Sequence, residues 1–219
     1  MYRRIYFFGC SYTKGAGLAA SYKERYSYHL SKLCSAQHRN FASHAGSDFL
    51  SLTQLLRVKA KGLITSEDLV VFQWTQSARH SIPIGEEPPT IFPDGNYENN
   101  QLQNLFHYPF VDAYTWSLGK DKINFLKEYT SMINPDAISF FNNNVLKELL
   151  TSWLFSNNIK FIQFSSHHHR VDKHYHNFIR TSMEEYTDKM IKTTCGHPGP
   201  DAHKEWANYL FQHLKNNLL

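Results

Sequence analysis

The chain has 219 residues, enough for one domain with a full core, and its 42% hydrophobic and 19% charged content is that of a globular chain and excludes a disordered one. Its net charge of +4 with His neutral comes from scattered Lys and Arg with no basic run longer than a pair, which argues against a nucleic-acid partner. No apolar stretch approaches the ~20 residues of a membrane span, and the run after Arg3 and Arg4 is too short for a signal-peptide core.

The first element is RIYFFG at 4–9, whose β-branched and aromatic residues ending at a Gly predict a buried strand. Leu18, Tyr22, Tyr26, Leu30 and Leu33 predict a helix over 17–34, and QHRNFA at 37–42 predicts a second strand. After the small-residue turn SHAGSD, Ser47 or Asp48 can cap a helix through FLSLTQLLRVKA. LVVFQW at 69–74 is the clearest central strand. Residues 81–108 hold four prolines and little periodicity, and are expected as a long irregular excursion over the surface. Helical patterns resume over about 109–131 and 136–156, KFIQFS at 160–165 is another strand, and helices are expected over about 172–192 and 201–217.

Alternating strands and helices predict an α/β class: a three-layer α/β/α sandwich around a parallel sheet of four or five strands, in a single domain 1–219. Ligands of such sheets collect at the carboxyl ends of the strands. The turn after the first strand, the SHAG turn, the residues after Trp74 and the HHH loop at 167–169 all belong to that edge.

The turn GCSYTKGAG is not a phosphate loop, because its Lys precedes the second Gly and the pattern GxGxxG also fails. Ser11, just beyond a strand and near a helix N-terminus, can instead be an exposed nucleophile close to backbone N–H donors. It needs a base. His197, in the Gly-His-Pro turn before the last helix, is the candidate. Cys10 is a poorer nucleophile, because the strand should point residue 10 into the fold. The cysteines Cys10, Cys34 and Cys195 form neither a zinc pattern nor a disulfide framework, so a reducing, cytoplasmic setting is expected.

In block order the chain resembles the SGNH hydrolases, the GDSL family of esterases and lipases. GCSYT places Ser11 where that family has its nucleophile, and HPGPDAH places His197 at its catalytic His, with His203 at the +6 position of a frequent second His. The resemblance implies a serine esterase or acyl transferase acting on an ester-linked acyl group; the polar, aromatic-rich excursion at 81–108, without a greasy run, favours O-acetyl on a glycan over a long-chain lipid. It implies an oxyanion hole of the Ser11 amide, Gly46 and Thr75, the last standing where the family has Asn. Trp74, Gln76 and Arg79 are the expected substrate-binding residues. Thr194 occupies the place of the family's Asp, which leaves a Ser-His dyad with the Thr194 hydroxyl as the group that could orient the imidazole. That missing acid also fits an inactive module of the same fold that binds a glycan or protein partner. The mechanism requires no cofactor. No metal is expected either, since three successive His cannot all face one centre from a strand and His174 and His176 do not share a helical face.

Overall fold

The protein is described from a computed structural model over residues 2–19, 22–43, 47–75, 144–167 and 177–218, with backbone alone at 81–83, 110–112 and 141–143. Near-continuous apolar runs make strands buried on both faces. Strand β1 (Arg4–Phe8) is followed by a single helical turn, α1 (Ser11–Lys14), and after a 3-10 turn (Tyr22–Glu24) by α2 (Tyr26–Leu33). Then come β2 (Gln37–Asn40), α3 (Asp48–Ala60), β3 (Leu69–Trp74), and two short strands, β4 (Ser81–Pro83) and β5 (Phe110–Asp112), paired antiparallel. A π-helical turn at Phe141–Leu146 runs into α4 (Lys147–Ser156). The chain closes with β6 (Lys160–Ser165), β7 (Phe178–Ile179), α5 (Met183–Thr187) and α6 (Pro200–Asn217).

The main sheet has five strands in the order β2-β1-β3-β6-β7, all parallel. Side chains alternate across it. Ile5, Phe7, Leu69, Val71, Ile162 and Phe164 pack with Tyr26 and Leu30 of α2 and Trp206 and Leu210 of α6. Tyr6, Phe8, Val70, Phe72, Trp74 and Phe161 pack with Leu55 and Val58 of α3 and Leu150 and Leu154 of α4. The α/β class and the three layers are as the sequence predicts.

Three expectations change. The helix expected over 17–34 begins in regular form only at Tyr26, because residues 11–14 already coil as α1 and Gly15 breaks that turn in a left-handed conformation, φ 78°. In the span expected as a helix over 172–192, the described residues form the edge strand β7 and the short α5. Ser81–Pro83, counted within the irregular excursion, pairs with Phe110–Asp112, where a helix was expected to begin. The rest of the excursion lies outside the described residues.

Candidate active site

The turn after β1 is held by one amide side chain. Gln73, facing the α2–α6 layer from β3, accepts from the Cys10 backbone N–H at 3.1 Å and from the Thr13 hydroxyl at 2.7 Å through Oε1. Its Nε2 donates to the Trp74 carbonyl at 2.9 Å and lies 3.2 Å from Cys10 Sγ. Because the Thr13 proton is committed to Gln73, the Tyr26 hydroxyl donates to Thr13 Oγ1, 2.8 Å away. The Tyr26 backbone N–H in turn donates to His203 Nδ1 at 3.1 Å. The first turn is thereby tied through β3 and α2 to the last helix. Gly9 is required by close approach: a Cβ there would stand 2.6 Å from Gln73 Oε1 and 2.8 Å from Thr13 Oγ1.

Cys10 is fully buried, and Ser11, which opens α1, is buried as well, at 7% exposure, where the sequence predicts an exposed residue; its Oγ lies 3.9 Å from Cys10 Sγ. Ser11 Oγ lies 2.9 Å from His197 Nε2, a contact between residues 186 apart in sequence. The amides of the first turn have no acceptor within a helix and lie beside that hydroxyl. The His197 ring also meets Tyr12, centroids 5.2 Å apart, and Tyr12 meets His167 at 5.0 Å on its other side. His167 Nδ1 is 2.7 Å from the Ser166 hydroxyl. His167 is thus linked to His197 through the Tyr12 ring, while His168, His169, His174 and His176 lie outside the described residues.

His197 is presented by a closed loop. Its carbonyl accepts from the Thr193 backbone N–H at 2.7 Å, the Gly199 N–H donates to the Ile191 carbonyl at 3.0 Å, and Lys192 and Pro198 form an antiparallel bridge. Gly199 and Pro200 then start α6, with Asp201 in its first turn. The Thr193–Gly196 turn, closed by a 2.9 Å bond from the Gly196 N–H to the Thr193 carbonyl, throws Thr194 outward. Thr194 is exposed, and the contact expected of it at His197 Nδ1 is made by its neighbour. The group facing His197 Nδ1 is Cys195 Sγ, at 3.3 Å.

Thr75 sits at the carboxyl end of β3 and is buried. Its backbone N–H donates to Asp48 Oδ1 at 2.7 Å, so the first residue of α3 clamps the end of the central strand. Ser47 caps α3, its hydroxyl accepting from the Leu50 N–H at 3.1 Å. Asp48 also opposes the buried Lys147 ammonium, which lies 5.4 Å from the Trp74 ring. Burial pushes the Lys147 pKa down to about 8, against the pull of Asp48.

Trp74 does not face the cleft. It has no exposed surface, and its indole N–H donates to Gln163 Oε1 at 3.0 Å inside the α3–α4 layer, which corrects its expected substrate contact. Strand alternation is the reason: residue 73 turns toward the Ser11 side, so residue 74 must turn away. His203, at the +6 position, is likewise a core residue stacked on Tyr26 at 5.9 Å, and burial pushes its pKa down to about 3. Gly46, Gln76 and Arg79 lie outside the described residues. Gln73, Asp48 and Cys195 are what the sequence reading missed. None of them carries a motif, and only the register of β1 against β3 and the loop geometry bring them to the site. Among the described residues, no group of three or more His, Cys, Asp or Glu is arranged to hold a metal ion, and no helix is long and apolar enough to cross a membrane.

Two solved structures share this architecture. One is a carbohydrate esterase whose active site displays divergent catalytic and non-catalytic binding functions (TM-score 0.52, 13% identity, 99% of this chain covered). The other is an acetyl xylan esterase from the rumen bacterium Butyrivibrio proteoclasticus (TM-score 0.54, 13% identity, 100% of this chain covered). The chain has the α/β fold of these two esterases. It spans 65% of the length of each of those two proteins. No family model matches the sequence, and no curated protein matches it significantly. In this fold, Ser11 and His197 meet at the carboxyl edge of the sheet, Ser11 following β1 and His197 preceding the last helix.

Proposed function

We propose that the protein is a serine esterase or acyl transferase acting on an ester-linked acyl group, with O-acetylated glycans as its substrate class. The observation that carries this reading is the 2.9 Å contact between Ser11 Oγ and His197 Nε2, made by two turns on the ligand-collecting edge of the sheet. Ser11 Oγ attacks the ester carbonyl while its proton passes to His197 Nε2. The imidazolium then returns the proton to the departing alkoxide, leaving an acyl group on Ser11. Water or an acceptor hydroxyl, deprotonated by the same nitrogen, releases it and restores the Ser11 hydroxyl.

The Ser11 amide, the Gly46 amide expected from the sequence and the Thr75 hydroxyl would stabilise the developing oxyanion. The Thr75 backbone N–H donates to Asp48 Oδ1, so the hydroxyl is the group of that residue proposed for the oxyanion. Gln76 and Arg79 follow directly in the chain and are proposed to contact the alcohol portion of the substrate. The glycan assignment draws support from the two proteins that share the fold, a carbohydrate esterase and an acetyl xylan esterase, and from a polar, aromatic-containing stretch at 81–108 with no long greasy run. Acetate release from acetylated sugars should exceed hydrolysis of long-chain esters. A long-chain preference would overturn the glycan class, and failure of both would overturn the esterase reading.

A further inference from the structure

A base that takes a proton at Nε2 must carry its own proton at Nδ1, and something must hold it there. The position that a carboxylate fills in a Ser-His-Asp triad is filled here by a thiol. Cys195 Sγ stands 3.3 Å from His197 Nδ1 and 3.2 Å from Thr193 Oγ1. The Thr193 hydroxyl lies 3.1 Å from the His197 carbonyl, which can only accept. That bond sets the direction of the rest. The Thr193 proton goes to the carbonyl, its lone pairs take the S–H proton, and the sulfur lone pairs are left to accept from Nδ1–H. The chain of donors selects the tautomer in which Nε2 is bare and directed at Ser11.

The thiol is seated by the fold. Gly17, at φ +78°, lies so close that a Cβ there would come 2.5 Å from both Cys195 Sγ and Thr193 Oγ1. The turn after α1 and the loop before α6 therefore meet at this sulfur. From this geometry we infer that Cys195 is a positioning residue of the active site, its thiol replacing the carboxylate of a triad by accepting the Nδ1–H of His197. The inference rests on reading Ser11 and His197 as nucleophile and base. Cys195 is an exposed residue, so electrophiles that alkylate thiols should reach it, and capping it would remove the orienting contact and slow Ser11.

Two readouts test this: the protonated nitrogen of His197, from two-bond 15N correlations, and the rate at which a fluorophosphonate labels Ser11 across pH. Wild type, Cys195→Ala, Cys195→Asp and Thr193→Val are compared, with melting temperature as the folding control. Tyr12 from α1 and the buried His203 from α6 are the other titratable groups near this ring among the described residues, and they are unchanged throughout. Wild type should carry its proton on Nδ1. Cys195→Ala should show mixed tautomers and label roughly 10–100-fold more slowly, less than the ~10⁴ lost with a carboxylate because a thiol accepts more weakly. Cys195→Asp should restore Nδ1–H and shift the acid limb of the labelling profile to higher pH, since a carboxylate stabilises the imidazolium. Thr193→Val should move in the direction of Cys195→Ala by a smaller factor. An Nδ1–H tautomer and a wild-type pH profile in Cys195→Ala would overturn the inference. Unlabelled Ser11 in the wild type would count against the esterase reading alone, because the tautomer is read without turnover.

Discussion

At the scale of single residues, Gln73 is the one on which the Ser11 turn depends. It accepts from one backbone N–H and one hydroxyl in a site with no exposed surface, and each loses its acceptor if the amide is removed. Gln73→Leu should lower stability by about 2–4 kcal/mol, as buried donors left unmade cost roughly 1–3 kcal/mol each, and should slow Ser11 labelling. Urea midpoints and labelling rates measure the two effects. Gly9→Ala forces the same amide aside, because the added carbon would sit 2.6 Å from its oxygen, and should lower both quantities as well. The sequence marks Ser11 and His197 through their flanking Gly and Pro residues. It also requires Gln73 and Trp74 to face opposite layers. Which of the two faces Ser11 depends on how β3 pairs with β1, a contact across more than sixty residues, and that register has no local signal.

Among the elements, those that are long and uniformly buried are legible. β1, β3 and β6 fall where apolar runs predict them, because strands covered on both faces are mostly apolar, with Gln73 and Gln163 as hydrogen-bonded exceptions. β7 has two residues and α5 five, too few for any periodicity to build up, and a helical pattern over 172–192 masks both. The loop from Ile191 to Gly199 is held by backbone bonds and by the seat that Gly17 leaves for its side chains. Gly17→Ala should therefore displace Cys195 and Thr193 and slow Ser11 labelling while leaving the secondary structure intact by circular dichroism. Asp48 plays the same part between α3 and β3. Asp48→Ala removes the acceptor of the Thr75 amide and a negative charge that favours the Lys147 ammonium. It should cost about 2–3 kcal/mol in stability, with an acyl-transfer defect larger than the destabilisation alone explains.

The whole molecule responds to pH through the buried His203 and the part-buried His38. Desolvation holds His203 and His38 down to about 3 from an ordinary 6.5, with nearby cationic groups, Arg25 among them, adding to the effect. Below 6.5 the unfolded chain therefore takes up protons that the native chain refuses, so their contribution is complete above 6.5 and is lost progressively down to about 3. His203 alone should remove roughly 2 kcal/mol at pH 5, at about 1.4 kcal/mol per pH unit. His203→Gln should narrow the gap between urea midpoints at pH 7.5 and pH 5.

Asp68 acts in the same direction lower on the scale. Burial opposes its ionisation, but the Arg4 guanidinium, with both nitrogens at 2.9 Å, and Thr65 hold its carboxyl below the usual range. Its contribution is present above the ordinary carboxylate pKa and is lost as pH falls through the lower, native value.

The account turns on Ser11 and His197 acting as one unit. Labelling by a fluorophosphonate of wild type, Ser11→Ala and His197→Ala at neutral pH tests this most directly. Wild type should label at a single site, Ser11→Ala not at all, and His197→Ala at a rate lower by at least ~10³, since nucleophile and base fail together. A wild type that does not label, or a Ser11→Ala variant that labels as wild type does, would contradict it.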